Sequence, residues 1–208
     1  MPRRKPQPAR ATARDPERTK RRILAAALHE FAKHGFAGGR VDTIARRAGT
    51  NKRMLYHYFT DKDGLFCAVL RHKISERTRS VQAAAAGRES ELAPWFEQNC
   101  RDTDWVRLLA WESLQPARGK IMDGAERRRY ALGAIRRIRD RQAAGGLIKG
   151  VEPQFLQLTL AALTMFPIAM PQMTRLITGQ SPQDPRFQRG YIRYLETIAR
   201  RFRPSGGV

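Results

Sequence analysis

Two short apolar patterns separated by a glycine turn constrain this chain more than any other feature. Val41, Ile44, Ala45 and Ala48 make one helical face and Gly49 breaks it. Asn51 can then cap a second helix whose inward positions are Leu55, Tyr58 and Phe59. Helices joined this tightly need a small residue where they cross, which Ala45 supplies. They also need a turn residue that accepts positive φ, which Gly49 does without strain. Ile44, Ala48 and Leu55 hold the second helix against the first. Its outward side chains are Lys52, Arg53, Met54, Tyr56 and His57, a set suited to the major groove of double-stranded DNA. Each feature is common alone; together they read as a helix-turn-helix.

Helical spacing recurs along the rest of the chain. Asp15-Pro16 pairs an N-cap acceptor with proline at the first helical position, and Ile23, Leu24, Ala27, Leu28 and Phe31 follow as one stripe. Gly35 is the expected left-handed stop. A longer helix is predicted from near Lys62 into the mid-eighties on Leu65, Phe66, Val69 and Leu70. Others are predicted around 92–99, 104–115 and 124–143, the last closed by Gly145-Gly146. Pro153 opens an uncharged segment that reads as a buried helix, kinked where Pro167 removes a backbone hydrogen bond. Asp184-Pro185 opens a final helix with Phe187, Tyr191, Tyr194, Leu195, Ile198 and Phe202 in one stripe. No β-alternation of useful length is present, so the class is all-α. The expected organisation is a disordered basic arm over 1–14, a three-helix DNA-binding domain over 15–62 and a larger helical domain over 63–208.

Charge narrows the partner. The 208 residues hold 40 Lys and Arg against 19 Asp and Glu, a formal net charge of +21. Residues 1–60 alone carry 15 basic and 4 acidic side chains. An excess concentrated around the helix-turn-helix points to nucleic acid rather than to an anionic membrane surface. The uncharged segment is long enough by length alone to span a bilayer, but Gln154, Gln157, Thr159, Thr164, Gln172, Pro167 and Pro171 interrupt it, so no membrane is expected. Cys67 and Cys100 form no disulfide framework and fit a reducing cytosol. With no signal-peptide pattern, the expected location is cytoplasmic. His29, His34, His57 and His72 lack metal-ligand spacing, and no nucleophile elbow or phosphate-cradling glycine loop occurs. The expectation is therefore no metal, no cofactor and no enzymatic activity.

Residues 20–70 resemble the DNA-binding domain of the TetR family of transcriptional regulators. The matching residues are the run from Arg22 through Ala27, then Phe31, Gly35-Phe36, Ile44-Ala45, Ala48-Gly49, the run from Leu55 to Phe59, Lys62 and Leu65. The resemblance implies three N-terminal helices docked on a helical domain that binds small effectors and pairs two subunits. It implies phosphate contacts from Tyr56 and Lys62, both chemically suited to them. Lys52 and Arg53 stand in the first turn of the reading helix, where bases are reached, and Arg is the natural bidentate partner of guanine. Met54 suits a thymine methyl, and Arg40 suits a backbone clamp at the start of the second helix. The competing structural readings are aromatics flanking the core for Tyr56 and His57, and a plain helix-terminal lysine for Lys62. Tyr58 reads as core. The chain departs from the family pattern with Arg40 for the usual Thr, Thr50 for Val, Asn51 for Ser or Thr, and Arg53-Met54 for a small residue followed by Thr or Ser.

The C-terminal part offers effector-site candidates only. Trp111, Met165, Phe166, Met170 and Met173 are adaptable apolar residues of the kind that line ligand cavities, though each is also ordinary core chemistry. Seven arginines crowd the helix around 124–143. A solvated basic face is the plain reading there; an anionic effector site and an auxiliary DNA contact are the sharper ones. The resulting expectation is a homodimeric repressor on a palindromic DNA operator, released by an unidentified small-molecule effector. The alternative is a non-specific architectural DNA-binding protein.

Overall fold

Asp15 caps the first helix, its carboxylate accepting hydrogen bonds from the backbone N–H groups of Glu17 and Arg18. The computed structural model describes residues 15–88, 90–114 and 121–203, and the expected basic arm lies outside them. Over the described residues the chain forms helices and no strand. They are α1 (Pro16–Gly38), α2 (Val41–Arg47), α3 (Lys52–Phe59), α4 (Lys62–Ala85), α5 (Leu92–Arg101), α6 (Thr103–Leu114), α7 (Gly124–Ala143), α8 (Pro153–Ala169), α9 (Pro171–Thr178) and α10 (Pro185–Arg201). The cap residues Asn51, Asp61 and Asp184 accept backbone N–H bonds, as Asp15 does.

Gly35 departs from the expected stop. It has φ 69° and ψ 174°, which is not the left-handed helical region, and one further helical turn follows to Gly38. That backbone region is essentially reserved for glycine. Trp111 of α6 seals the site: a Cβ on Gly35 would come within 3.2 Å of its indole. A second tie between the same helices is His29 Nδ1 to Asp104 Oδ2 at 3.0 Å.

One connected core runs through the molecule. Ile23, Phe31, Ile44, Leu55, Leu65, Phe96, Val106, Leu108 and Leu195 all belong to it, so the three N-terminal helices share buried surface with the helices behind them. Phe31, Phe36 and Phe66 meet in tilted and edge-on contacts with centroids 5.0–5.9 Å apart. The α10 stripe is spent largely inside this core, with Phe187 and Leu195 buried and Tyr191 stacked on Phe187 at 5.4 Å.

The uncharged segment bends elsewhere than expected. Pro167 stays within α8, whereas the chain breaks at Met170 (φ −120°, ψ 63°) and α9 leaves at 90°. Pro171 is the reason, since a proline disfavours helical backbone in the residue before it. Pro167 has a different effect. It lacks the N–H that would bond the Leu163 carbonyl, and the Tyr191 hydroxyl donates to that oxygen at 2.9 Å instead. Among the described residues no single helix is long and apolar enough to cross a membrane.

Candidate nucleic-acid interface and ligand cavity

The reading helix is set by its turn. Gly49 has φ 62°, Thr50 N–H donates to the Ala45 carbonyl at 2.9 Å, and Asn51 Oδ1 accepts from Met54 N–H at 2.8 Å. The Arg22 guanidinium lies over Gly49, where a Cβ would collide with it. Two of these supports were not expected from the sequence. Arg22 is one. The other is Glu30, a buried carboxylate in the apolar stripe of α1, which accepts from Arg40 N–H at 3.1 Å and so fixes the start of α2 in place of a side-chain cap. An acid within an otherwise apolar stripe was the available signal.

On this frame Arg40, Lys52, Arg53 and His57 are exposed, joined by Arg46 and Arg47 of α2. Lys52 Nζ stands 3.4 Å from Asp42 Oδ2 in an exposed pair, weak enough for a phosphate to displace. Met54 and Tyr56 are half-buried, and the Tyr56 ring packs against the core. His57 meets the Tyr58 ring edge-on at 5.6 Å. Lys62 is more engaged than a free phosphate ligand: Nζ donates to the Ala37 carbonyl at 3.1 Å and lies 4.9 Å from the Phe36 ring centre. It ties the start of α4 to the last turn of α1.

A cavity of about 190 Å³ opens chiefly among α4, α5, α7, α8 and α10, with Trp105 of α6 in its wall. Its apolar wall includes Leu92, Trp95, Trp105, Ile138, Leu147 and Leu160. Its polar wall is a buried network. Arg77 of α4 donates to Asp102 at 3.1 Å and to Asn99 Oδ1, while Asn99 Nδ2 donates to the Thr164 carbonyl of α8 at 2.8 Å. Lys73 also reaches Asp102, at 2.7 Å. Burial pulls the Arg77 pKa below its ordinary value, and the Asp102 charge opposes that fall. Trp95 and Trp105 both lie near its guanidinium, at 5.9 and 5.6 Å.

Of the five effector candidates, Met165 alone lines this cavity. Successive residues on an α-helix point about 100° apart, so Phe166 faces outward and is exposed. Met170 and Met173, beyond the break, are exposed as well, and Trp111 sits at the α1–α6 contact. Cys100 keeps its proton, since burial pushes the thiol pKa up to about 11. Among the described residues no three His, Cys, Asp or Glu side chains gather as a metal site would require.

Comparison with known proteins places this geometry. Residues 23–69 match the model for bacterial regulatory proteins of the tetR family, and residues 93–201 match the Tetracyclin repressor-like C-terminal domain. The HTH-type transcriptional repressor SCO4008 of Streptomyces coelicolor is 34% identical over 167 residues, covering 80% of this chain and 87% of that protein. The HTH-type transcriptional repressor NicS of Pseudomonas putida is 35% identical over 109 residues, 49% of this chain and 51% of its own. The crystal structure of SCO4942 from Streptomyces coelicolor superposes with a TM-score of 0.68 at 26% identity, covering 86% of this chain and 97% of that one. Matched in both its reading head and its C-terminal helices, and aligned with a repressor along four fifths of its length, the chain belongs to the TetR family of DNA-binding transcriptional regulators.

Proposed function

We propose that the protein is a cytoplasmic, homodimeric repressor that occupies a palindromic operator and is released by a small molecule bound in the α4–α5–α7–α8–α10 cavity. One observation carries the reading: Arg77, the buried cation of the cavity wall, stands on α4, the helix whose first residues are tied to the reading head by Lys62. A ligand that shifts α4 changes where the head points. Residues 15–62 are then the DNA-binding unit and residues 63–208 the effector-binding and pairing unit. Arg40, Lys52, Arg53, Met54, Tyr56 and His57 face DNA, and Lys62 meets a phosphate at the cost of its Ala37 bond.

Pairing is supported by an unpartnered apolar face. Phe155, Leu158 and Phe166 lie exposed along one side of α8, and Met173, Leu176 and Ile177 of α9 are exposed beyond the break. Large apolar side chains exposed together along one side of a helix mark an interaction surface. With the exposed edge of α10 at Tyr194, it fits a four-helix contact about a two-fold axis. Both reading heads must enter the groove together, so their spacing decides affinity, with half-sites about one DNA turn apart or a multiple of it. Linkage makes the effect reciprocal: an effector that weakens operator binding is itself weakened by operator to the same degree.

The test is selection of bound sites from random DNA by the full-length protein, followed by titration of the selected site against scrambled DNA. A two-fold symmetric site bound at least about a thousandfold more tightly is the expected result. A specificity ratio near one refutes the reading and favours the architectural alternative.

A further inference from the structure

Among the seven arginines of α7, only two face the cavity. Arg137 and Arg141 line it together with Ala134 and Ile138, one helical face at i, i+3, i+4 and i+7. Arg127 is paired with Glu112 and Arg129 with Glu126, while Arg128, Arg136 and Arg139 are exposed and outside the cavity lining. The charge balance inside is uneven. Arg77 is answered by Asp102. Glu91 is the acid among the described lining residues, and it also borders a shallow recess beside the end of α4. Arg137 has no carboxylate partner among the described residues. It stands over a chamber walled by Trp95, Trp105, Leu92, Leu147 and Leu160.

We infer that the effector is a monocyclic aromatic acid, its ring held in this apolar chamber and its carboxylate paired with Arg137. This rests on the reading of the cavity as the effector site and specifies its ligand. Size suits the body: a dry cavity of about 150 Å³ holds a benzene ring, and this one, at about 190 Å³ and open at its mouth, has room for a ring. Charge sets the head group. Arg77 is answered by Asp102, and Arg137 has no carboxylate partner among the described residues, so an anion is drawn to its guanidinium and a cation of the same shape is repelled. Guanidinium matches carboxylate in a planar, two-bond geometry that a neutral amide does not reproduce. The ring also explains why the chamber keeps two indoles: flat faces pack a flat ligand without reorganising the wall.

The experiment compares three probes of one shape and different charge, benzoate, benzamide and benzamidine, with salicylate and phenylacetate as further acids. Binding to the full-length protein is measured by calorimetry, and operator affinity is measured separately with and without each probe. The acids are expected to bind, benzamide at least about tenfold more weakly, and benzamidine not at all. Arg137→Gln, an exposed position that leaves the core untouched, should weaken the acids by about tenfold or more and leave benzamide unchanged. Arg136→Gln, on the neighbouring solvent face, should change neither. Benzamidine or benzamide matching the acids, an Arg137→Gln protein that binds benzoate normally, or no acid binding at millimolar concentration would each overturn the ligand class. If the protein binds its operator and no acid binds, the ligand class alone fails. If the acids bind through Arg137 but operator affinity does not change, the ligand class stands and effector release fails.

Discussion

Arg53 and Tyr56 leave the same short helix for different chemical tasks. Arg53 is exposed in the first turn of α3, where a bidentate contact to one guanine is within reach, whereas Tyr56 keeps its ring on the core and offers only its hydroxyl. Arg53→Ala should therefore relax preference at one base pair by roughly 1–3 kcal/mol. Tyr56→Phe should weaken all sequences about equally, because phosphate contacts position without specifying. Titrations against the selected operator and its single-base variants separate the two. Lys62 belongs to a third class, since its ammonium already holds the Ala37 carbonyl. Lys62→Ala should lower both DNA affinity and stability, the latter by about 1 kcal/mol, or a few degrees in melting temperature. A Lys62→Ala protein with unchanged melting temperature would return that residue to a pure phosphate contact. Periodicity alone made Lys52, Arg53 and His57 legible as outward positions of α3, whereas Met54 and Tyr56, read the same way, are half-buried. It did not reveal that Lys62 is engaged, because the acceptor lies on a different helix, 25 residues away.

At the scale of the element, α8 is decided by its two prolines. Pro171 ends the helix by disfavouring helical backbone at Met170, and Pro167 leaves a carbonyl that the Tyr191 hydroxyl satisfies. Tyr191→Phe should cost about 1 kcal/mol, read as a shifted urea midpoint with unchanged slope. The same hydroxyl gives the protein an alkaline signature. Burial pushes the Tyr191 pKa from 10.0 up to about 12, so above pH 10 the unfolded chain ionises first. The stabilisation is complete below pH 10 and lost as pH rises toward about 12. Tyr191→Phe should remove that part of the alkaline decline, and an identical decline in both proteins would assign it to other groups. The existence of both prolines was plain in the sequence. Which one bends the chain was not, because a proline is tolerated within a helix when a neighbour takes the freed carbonyl, and that neighbour comes from α10.

At the scale of the whole molecule, the apolar stripes sort into core and exposed surface. Leu195 is 0% exposed, inside the protomer, while Leu158 on α8 is 66% exposed. The stripe from Phe187 to Phe202 is one continuous apolar face in the sequence, and the fold uses most of it to close its own core. Leu158→Arg should therefore give a folded monomer by sedimentation, with unchanged helicity and much weaker operator binding. Leu195→Arg should instead unfold the chain, since it buries a charge with no partner. A Leu158→Arg protein that remains dimeric would move the pairing surface away from α8.

The sequence by itself determined the helical class, nearly every helix start, the turn at Gly49 and the exposed cations of α3. Those follow from local chemistry: caps, prolines, glycine backbone freedom and a period of 3.6 residues. The cavity was decided only by the fold. Trp111, Phe166, Met170 and Met173 have the composition of a ligand wall, and the packing places them at a helix joint or on the surface. Arg77, Asn99, Trp95, Arg137 and Thr164, scattered over four helices, meet instead around the chamber. No periodicity within one helix records which faces of α4, α5, α7 and α8 turn toward each other. That is settled when the common core closes and each helix commits one side to it.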